Sequence, residues 1–217
     1  MTVGDTEVLS CTSVQNIRAF MDFSLNMKAH VNNIIRSCYC QIRSLSKIRK
    51  YLTVESSKKL THAFVTSRLD MLNSLLVNLP DTLIKKLQLI QNNAARLVTG
   101  QRRSCHVTPI LMELHWLPVE YRIQYKMLLL VFKCLSGKAP SYLSSLLHHY
   151  TPSRSLRSSS QYLLQEVPAR KKYGNRAFSI AGPKLWNSLP LEVRQSPTVE
   201  AFKGTLKTHL FKLGYNN

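Results

Sequence analysis

Acidic side chains are scarce in this sequence: 11 Asp and Glu stand against 30 Lys and Arg, giving a formal net charge of +19. A two-metal catalytic centre needs several carboxylates converging on one point, and no pair here is spaced to supply them. Asp70 follows Arg68 in a helical stretch and reads as an ion-pair or capping residue, Asp22 reads as a cap for the helix after it, and Glu7 is isolated. Glycine is sparse too, at 7 residues, and there is no Gly-rich phosphate loop. No serine lies in Gly-x-Ser-x-Gly, and no Ser-x-x-Lys has a recognisable setting, so nucleophilic hydrolysis has no signature. The five cysteines (Cys11, Cys38, Cys40, Cys105, Cys134) are odd in number and form no Cys-x-x-Cys. That usage fits free thiols in a reducing, intracellular setting, nucleus or cytoplasm.

Metal ligands and membrane segments are missing in the same way. Cys105-His106 with His115, and the pair His148-His149, do not assemble the four paired ligands of a structural zinc site. Cys38 and Cys40 are two apart on a predicted helix and therefore point to different faces. No metal and no cofactor is expected. The longest strongly apolar stretch runs from Met127 to Phe132 and is closed by Lys133, far short of the ~20 residues that span a bilayer. The N-terminus has no basic segment leading into an apolar one, so no secretory signal is read.

What is present is positive charge on an ordered chain. Hydrophobic content of 44% in 217 residues suffices for a real core. A pI near 10.1 attracts polyanions, nucleic acid first and anionic membrane second. The excess is uneven: residues 1–81 hold 10 basic and 6 acidic side chains, whereas 82–217 hold 20 and 5. The cations gather as Arg36, Arg43, Lys47 and Lys50, then Arg102 and Arg103, Arg154 and Arg157, and Arg170, Lys171 and Lys172. Such side chains suit phosphate contacts, which give affinity without reading base sequence. Trp116 and Trp186, each followed closely by a proline, read as packing anchors rather than base-stacking platforms.

Apolar periodicity predicts a mainly α-helical fold with room for one small β element. Residues 28–51 bury Val31, Ile34, Ile35, Cys38, Ile42, Leu45 and Ile48, with the first basic cluster opposite. A second helix is predicted over 55–78, with Leu60, Phe64, Leu69, Leu72 and Leu76 inside, and a third over 82–99, with Leu83, Leu87, Ile90, Ala94 and Leu97 inside. Gly100 is placed to end the third. A short helix follows at 109–114. Residues 120–136 are apolar nearly all round, which marks a helix covered on most sides. Another short helix is read at 141–149, and the Ser- and Arg-rich stretch 151–161 as an exposed linker. Beyond it, 162–167 reads as a strand, 177–180 fits strand or helix alike, and 183–188 reads as helix. The last helix, 199–213, buries Phe202, Leu206, Leu210 and Leu213, with Lys203 and Lys207 outward. No internal repeat is visible.

Three segments stand out: Leu87-Gln88-Leu89-Ile90-Gln91-Asn92-Asn93-Ala94-Ala95-Arg96-Leu97-Val98-Thr99, Leu114-His115-Trp116-Leu117-Pro118 and Trp186-Asn187-Ser188-Leu189-Pro190. In this order they resemble the region downstream of the polymerase core in LINE-type (non-LTR) retrotransposon reverse transcriptases of the jockey-like kind. Thr66-Ser67-Arg68-Leu69-Asp70-Met71-Leu72-Asn73, Ala139-Pro140-Ser141-Tyr142-Leu143, Arg154-Ser155-Leu156-Arg157-Ser158, Gly174-Asn175-Arg176-Ala177-Phe178 and Gly182-Pro183-Lys184-Leu185 extend the likeness. Asp5-Thr6-Glu7-Val8-Leu9 resembles the end of the family's palm, and the stretch from Phe20 to Val31 its primer grip and first thumb helix. Two departures stand out: the family's Lys before Thr-Glu is Asp5, and its primer-grip Leu-Gly-Val reads Arg18-Ala19-Phe20. No Tyr-x-Asp-Asp occurs. The resemblance thus implies a non-catalytic piece: palm end and primer grip at 1–25, a thumb-like bundle at 26–100 and a helix-rich unit at 101–217. Such a piece, a decayed or truncated copy, would hold a template–primer duplex or the element's RNA weakly and non-specifically. The alternative is a helical interaction module whose charge is merely inherited, and a third reading is a basic protein that adsorbs to anionic membranes.

Overall fold

The structure, a computed structural model, describes residues 2–3, 6–7, 13–151, 161–169 and 173–215. Two short antiparallel hairpins come first: β1 (Thr2–Val3) pairs with β2 (Thr6–Glu7), and β3 (Ser13–Asn16) with β4 (Ala19–Asp22). The β3–β4 turn is Ile17-Arg18, at φ 45° and 65°. Two left-handed residues match the twist of a tight hairpin, but the conformation is strained for β-branched Ile17. Asp22 does not cap the next helix directly. Its Oδ1 accepts from the Asn26 N–H at 2.8 Å, and Asn26 Oδ1 accepts from the Lys28 N–H at 2.8 Å. Asp22 holds the residue that does the capping.

From there the protein is mainly α-helical. The first helix, α1 (Lys28–Ile48), buries Val31, Ile34, Cys38 and Leu45, and the last predicted turn tightens into a 3₁₀ turn at Arg49–Tyr51. Ile48 is left 44% exposed by that change. Cys38 is buried and Cys40 exposed, as their spacing requires.

The second helix is shorter and less regular than its periodicity predicts. Thr53 caps α2 (Val54–Thr61) by accepting from the Ser56 N–H at 3.1 Å. A π turn at His62–Thr66 then leads into α3 (Ser67–Asp70). The helix breaks at Met71, whose backbone is extended, and after Leu72, at φ 54°, a 3₁₀ turn follows at Asn73–Leu76. A π turn takes up an extra residue and rotates the apolar face. Val65 is therefore buried, while Phe64, expected inside, is 43% exposed and Leu72 only half-buried.

The helix α4 (Asp81–Thr99) buries Leu83, Leu87, Ile90, Ala94 and Val98, the last taking the place expected of Leu97. Gly100 ends it at φ 71°, donating its N–H to the Arg96 carbonyl. After α5 (Val107–Glu113) comes α6 (Val119–Leu135), covered on two sides as its composition predicts. Ile123 and Met127 join the core formed with α1, α4 and α5. Leu128, Val131 and Phe132 join a second core with the C-terminal helices.

The next helix, α7 (Ser141–Ser144), ends well before residue 149. His149 instead forms a single antiparallel bridge with Leu164. The strand expected over 162–167 goes no further because a side chain occupies its other edge. Leu164 N–H donates to Asn187 Oδ1 at 2.9 Å, and Asn187 Nδ2 donates back to the Leu164 carbonyl at 2.8 Å. Residues 178–180 resolve as the start of α8 (Phe178–Asn187), which carries Pro183 inside it and begins before the predicted 183. Two helices finish the chain, α9 (Leu191–Arg194) and α10 (Val199–Tyr215). The buried stripe of α10 runs Phe202, Leu206 and Leu210 and continues at half-buried Gly214, leaving Leu213 42% exposed. Gly214 fits there because a Cβ would lie 3.2 Å from the Tyr121 ring and 3.3 Å from Pro118.

The three prominent sequence segments fasten these helices to one another. Buried Gln91 donates Nε2 to the Leu117 carbonyl at 2.8 Å, and Gln88 Oε1 accepts from the Val119 N–H at 2.8 Å. Together they tie α4 to the Trp116-Leu117-Pro118 turn. Trp186, 2% exposed, packs on Phe132 and Phe202 and donates Nε1 to the Tyr162 carbonyl at 2.8 Å. Asp70 pairs not with its neighbour Arg68 but with Arg122, whose two nitrogens reach both carboxylate oxygens and join α3 to α6.

Candidate nucleic-acid interface

Packing α1 against α4 leaves a cleft of about 540 Å³ along their shared edge. Tyr39, Ile42, Arg43 and Ser46 line it from α1, Asn93, Arg96 and Leu97 from α4, and Gly100, Gln101 and Arg103 from the loop after α4. Arg49, in the turn that follows α1, completes it. Four arginines thus face one cleft, and none of its described lining residues is a carboxylate.

Their roles divide by bonding. Arg49 is held by three carbonyls: Nε donates to Leu97 at 2.7 Å, Nη2 to Val98 at 2.8 Å and Nη1 to Leu52 at 2.8 Å. Two of those carbonyls belong to the last turn of α4, where a cation complements the helix dipole. Arg96 donates Nη2 to the Cys105 carbonyl at 3.0 Å and pins the basic loop, while its buried Nε has no partner among the described residues. Arg43 and Arg103 remain exposed. Asn93 Nδ2 donates to the Tyr39 hydroxyl at 3.2 Å across the cleft, and Tyr39 is itself 41% exposed. An aromatic face and amide groups therefore stand among the cations.

Of the residues singled out from sequence, the fold brings Arg43 and Arg103 together in this cleft. Arg36 and Lys47 are exposed on α1 and Lys50 in the turn after it, outside the cleft lining, and Lys50 Nζ lies 4.8 Å from the centre of the Tyr51 ring. Arg102 is exposed beside Arg103 without lining the cleft. None of these six pairs with a carboxylate among the described residues, where the two ion pairs are Arg122–Asp70 and Lys203–Glu200. Arg154, Arg157, Arg170, Lys171 and Lys172 lie outside the described residues. Tyr39, Arg49, Asn93 and Arg96 were not anticipated. Their signal is polar residues at helical spacing beside an apolar seam on both helices, which gains meaning only once α1 and α4 are known to pack together.

Among the described residues, no three of His, Cys, Asp and Glu stand close enough to share a metal ion, and no helix is long and apolar enough to cross a membrane. No protein-family model, no curated protein and no solved structure matches this chain.

Proposed function

We propose that this chain is a non-catalytic nucleic-acid-binding protein derived from the thumb and post-thumb region of a LINE-type reverse transcriptase. It holds a duplex through phosphate contacts and does not read base sequence. The observation that carries this reading is the carboxylate-free cleft with exposed Arg43 and Arg103, continued by Arg36, Lys47 and Lys50 along α1 and the following turn. Guanidinium groups match phosphate geometry, and unopposed charge on a chain of net charge +19 strengthens the field they present. The sequence likeness supplies the duplex as the partner.

The test replaces Arg43, Lys47 and Lys50 together with Ala and measures binding to a DNA–RNA hybrid. All three are exposed, so folding should persist, each change shifting stability by no more than about 0.5 kcal/mol. Affinity should drop to the same extent for unrelated hybrid sequences, because phosphate contacts carry no base information. A folded triple variant that binds like the parent would refute the reading.

A second reading, a helical interaction module, draws on exposed apolar side chains at the β3–β4 hairpin and after it. Phe23 is 95% and Ile17 81% exposed. An apolar patch of that kind favours a protein partner.

A further inference from the structure

A second group of cations surrounds a separate cavity of about 580 Å³ that shares no lining residue with the α1–α4 cleft. Lys58 and Lys59 reach it from α2, Lys126 from α6 and Lys207 from α10. His62, the first residue of the π turn, and His115, in the turn between α5 and α6, also line it. Two carboxylates are present. Arg122 engages Asp70 on both oxygens, which leaves Glu55 as the cavity's one carboxylate without a cation partner among the described residues. The floor is apolar, formed by the buried Trp116 and Leu117.

Two backbone irregularities border this cavity. Single π turns inside α-helices recur at functional sites. His115 holds φ 53°, a conformation that is strained for a residue with a side chain and that concentrates at ligand sites. Lysines brought from three helices to one opening also repel one another until an anion fills the space between them. The lining differs from that of the α1–α4 cleft: the uncommitted cations here are lysines from three helices over an apolar floor, where that cleft presents arginines. Lysine ammoniums serve a small, densely charged group as point charges.

We propose that this cavity binds a compact run of phosphates, a polyphosphate chain that is either free in solution or carried at the 5′ end of a nucleic-acid strand. The site stands on the cavity alone, so failure of the duplex reading would leave it intact. The probe is inorganic tripolyphosphate, titrated calorimetrically into the whole chain. Saturable one-to-one binding is expected. Replacing Lys58, Lys126 and Lys207 together with Ala should weaken it at least about tenfold, a change of 1.4 kcal/mol. The charge-matched variant Lys85→Ala/Lys86→Ala/Lys138→Ala should leave it within about twofold, since remote surface charge acts only through a screened field.

Glu55→Gln removes the opposing carboxylate and should tighten binding, so the proposal stays testable even if the triple lysine variant fails to fold. An oligonucleotide with a 5′-triphosphate that outcompetes its 5′-hydroxyl twin for tripolyphosphate places the phosphates on a strand end. Equal competition by the two places them on a free ligand. Absence of saturable binding, equal weakening in both triple variants, or no gain in Glu55→Gln overturns the proposal.

Discussion

Arg43 and Arg49 lie about two helical turns apart and face one cleft, yet they do different work. Arg49 spends its donors on the Leu97, Val98 and Leu52 carbonyls and holds the end of α4 in place, whereas Arg43 is exposed and uncommitted. Arg49→Ala should therefore lower the urea midpoint, with a loss of about 1.5–3 kcal/mol for a hydrogen-bonded charge. Arg43→Ala should stay within about 0.5 kcal/mol of the parent. Trp186→Ala should be more damaging still, since losing a buried aromatic costs roughly 3–5 kcal/mol and this one also gives up its bond to Tyr162.

His30 is a different case. It is 3% exposed, and its Nδ1 accepts from the Phe20 N–H at 3.5 Å, leaving Nε2 buried without a partner among the described residues. Burial holds its pKa below the usual 6.5, and Arg18 and Arg68 line the same pocket. His209 is lowered too, by burial and then by Lys212. A folded-state pKa below the unfolded one means that the unfolded chain takes the proton first. Stability is thus full above the ordinary histidine range and is lost as pH falls through about 6.5 toward the folded value. Urea unfolding at about pH 7.5 and about pH 5.5 should show that loss, and His30→Gln should shrink it. A midpoint that rises on acidification would contradict this.

At the level of elements, the long helices α1, α4 and α10 were legible because each carries several turns of consistent apolar spacing, α6 because it is apolar nearly all round, and Gly100 because a left-handed cap suits it there. The π turn at His62–Thr66 was not legible, since one extra residue leaves composition unchanged while it moves Val65 inward and Phe64 outward. The 162–167 segment misled for a different reason: it is extended enough to form one bridge, but the partner on its second edge is the Asn187 side chain, distant in sequence. The candidate site was legible only as charge, and its geometry was not. Arg43 and Arg103 were visible as basic residues, yet their meeting depends on how α1 and α4 pack. The π turn itself can be tested. Deleting exposed Ala63 removes its extra residue and should be tolerated, whereas deleting exposed Ser44 inside regular α1 turns the rest of that helix by about 100° and should unfold the chain. Circular dichroism melts of the two deletions decide this, and equal damage would mean that the turn is not an inserted residue.

For the whole molecule the governing quantity is charge. A net charge of +19 sets up a positive field, and the proposed nucleic-acid binding draws on that field. With no Tyr-x-Asp-Asp in the sequence, primer extension by the clean protein with magnesium or manganese should give no incorporation. The most direct test of the account is the salt dependence of binding to a DNA duplex. If Arg36, Arg43, Lys47, Lys50, Arg102 and Arg103 each neutralise one phosphate, the log–log slope should be about −5, at −0.9 per contact. It should also shrink by about 0.9 for each of these cations replaced. A slope near zero between low and physiological salt, or one that does not change when they are removed, would contradict the assignment of this surface to nucleic acid.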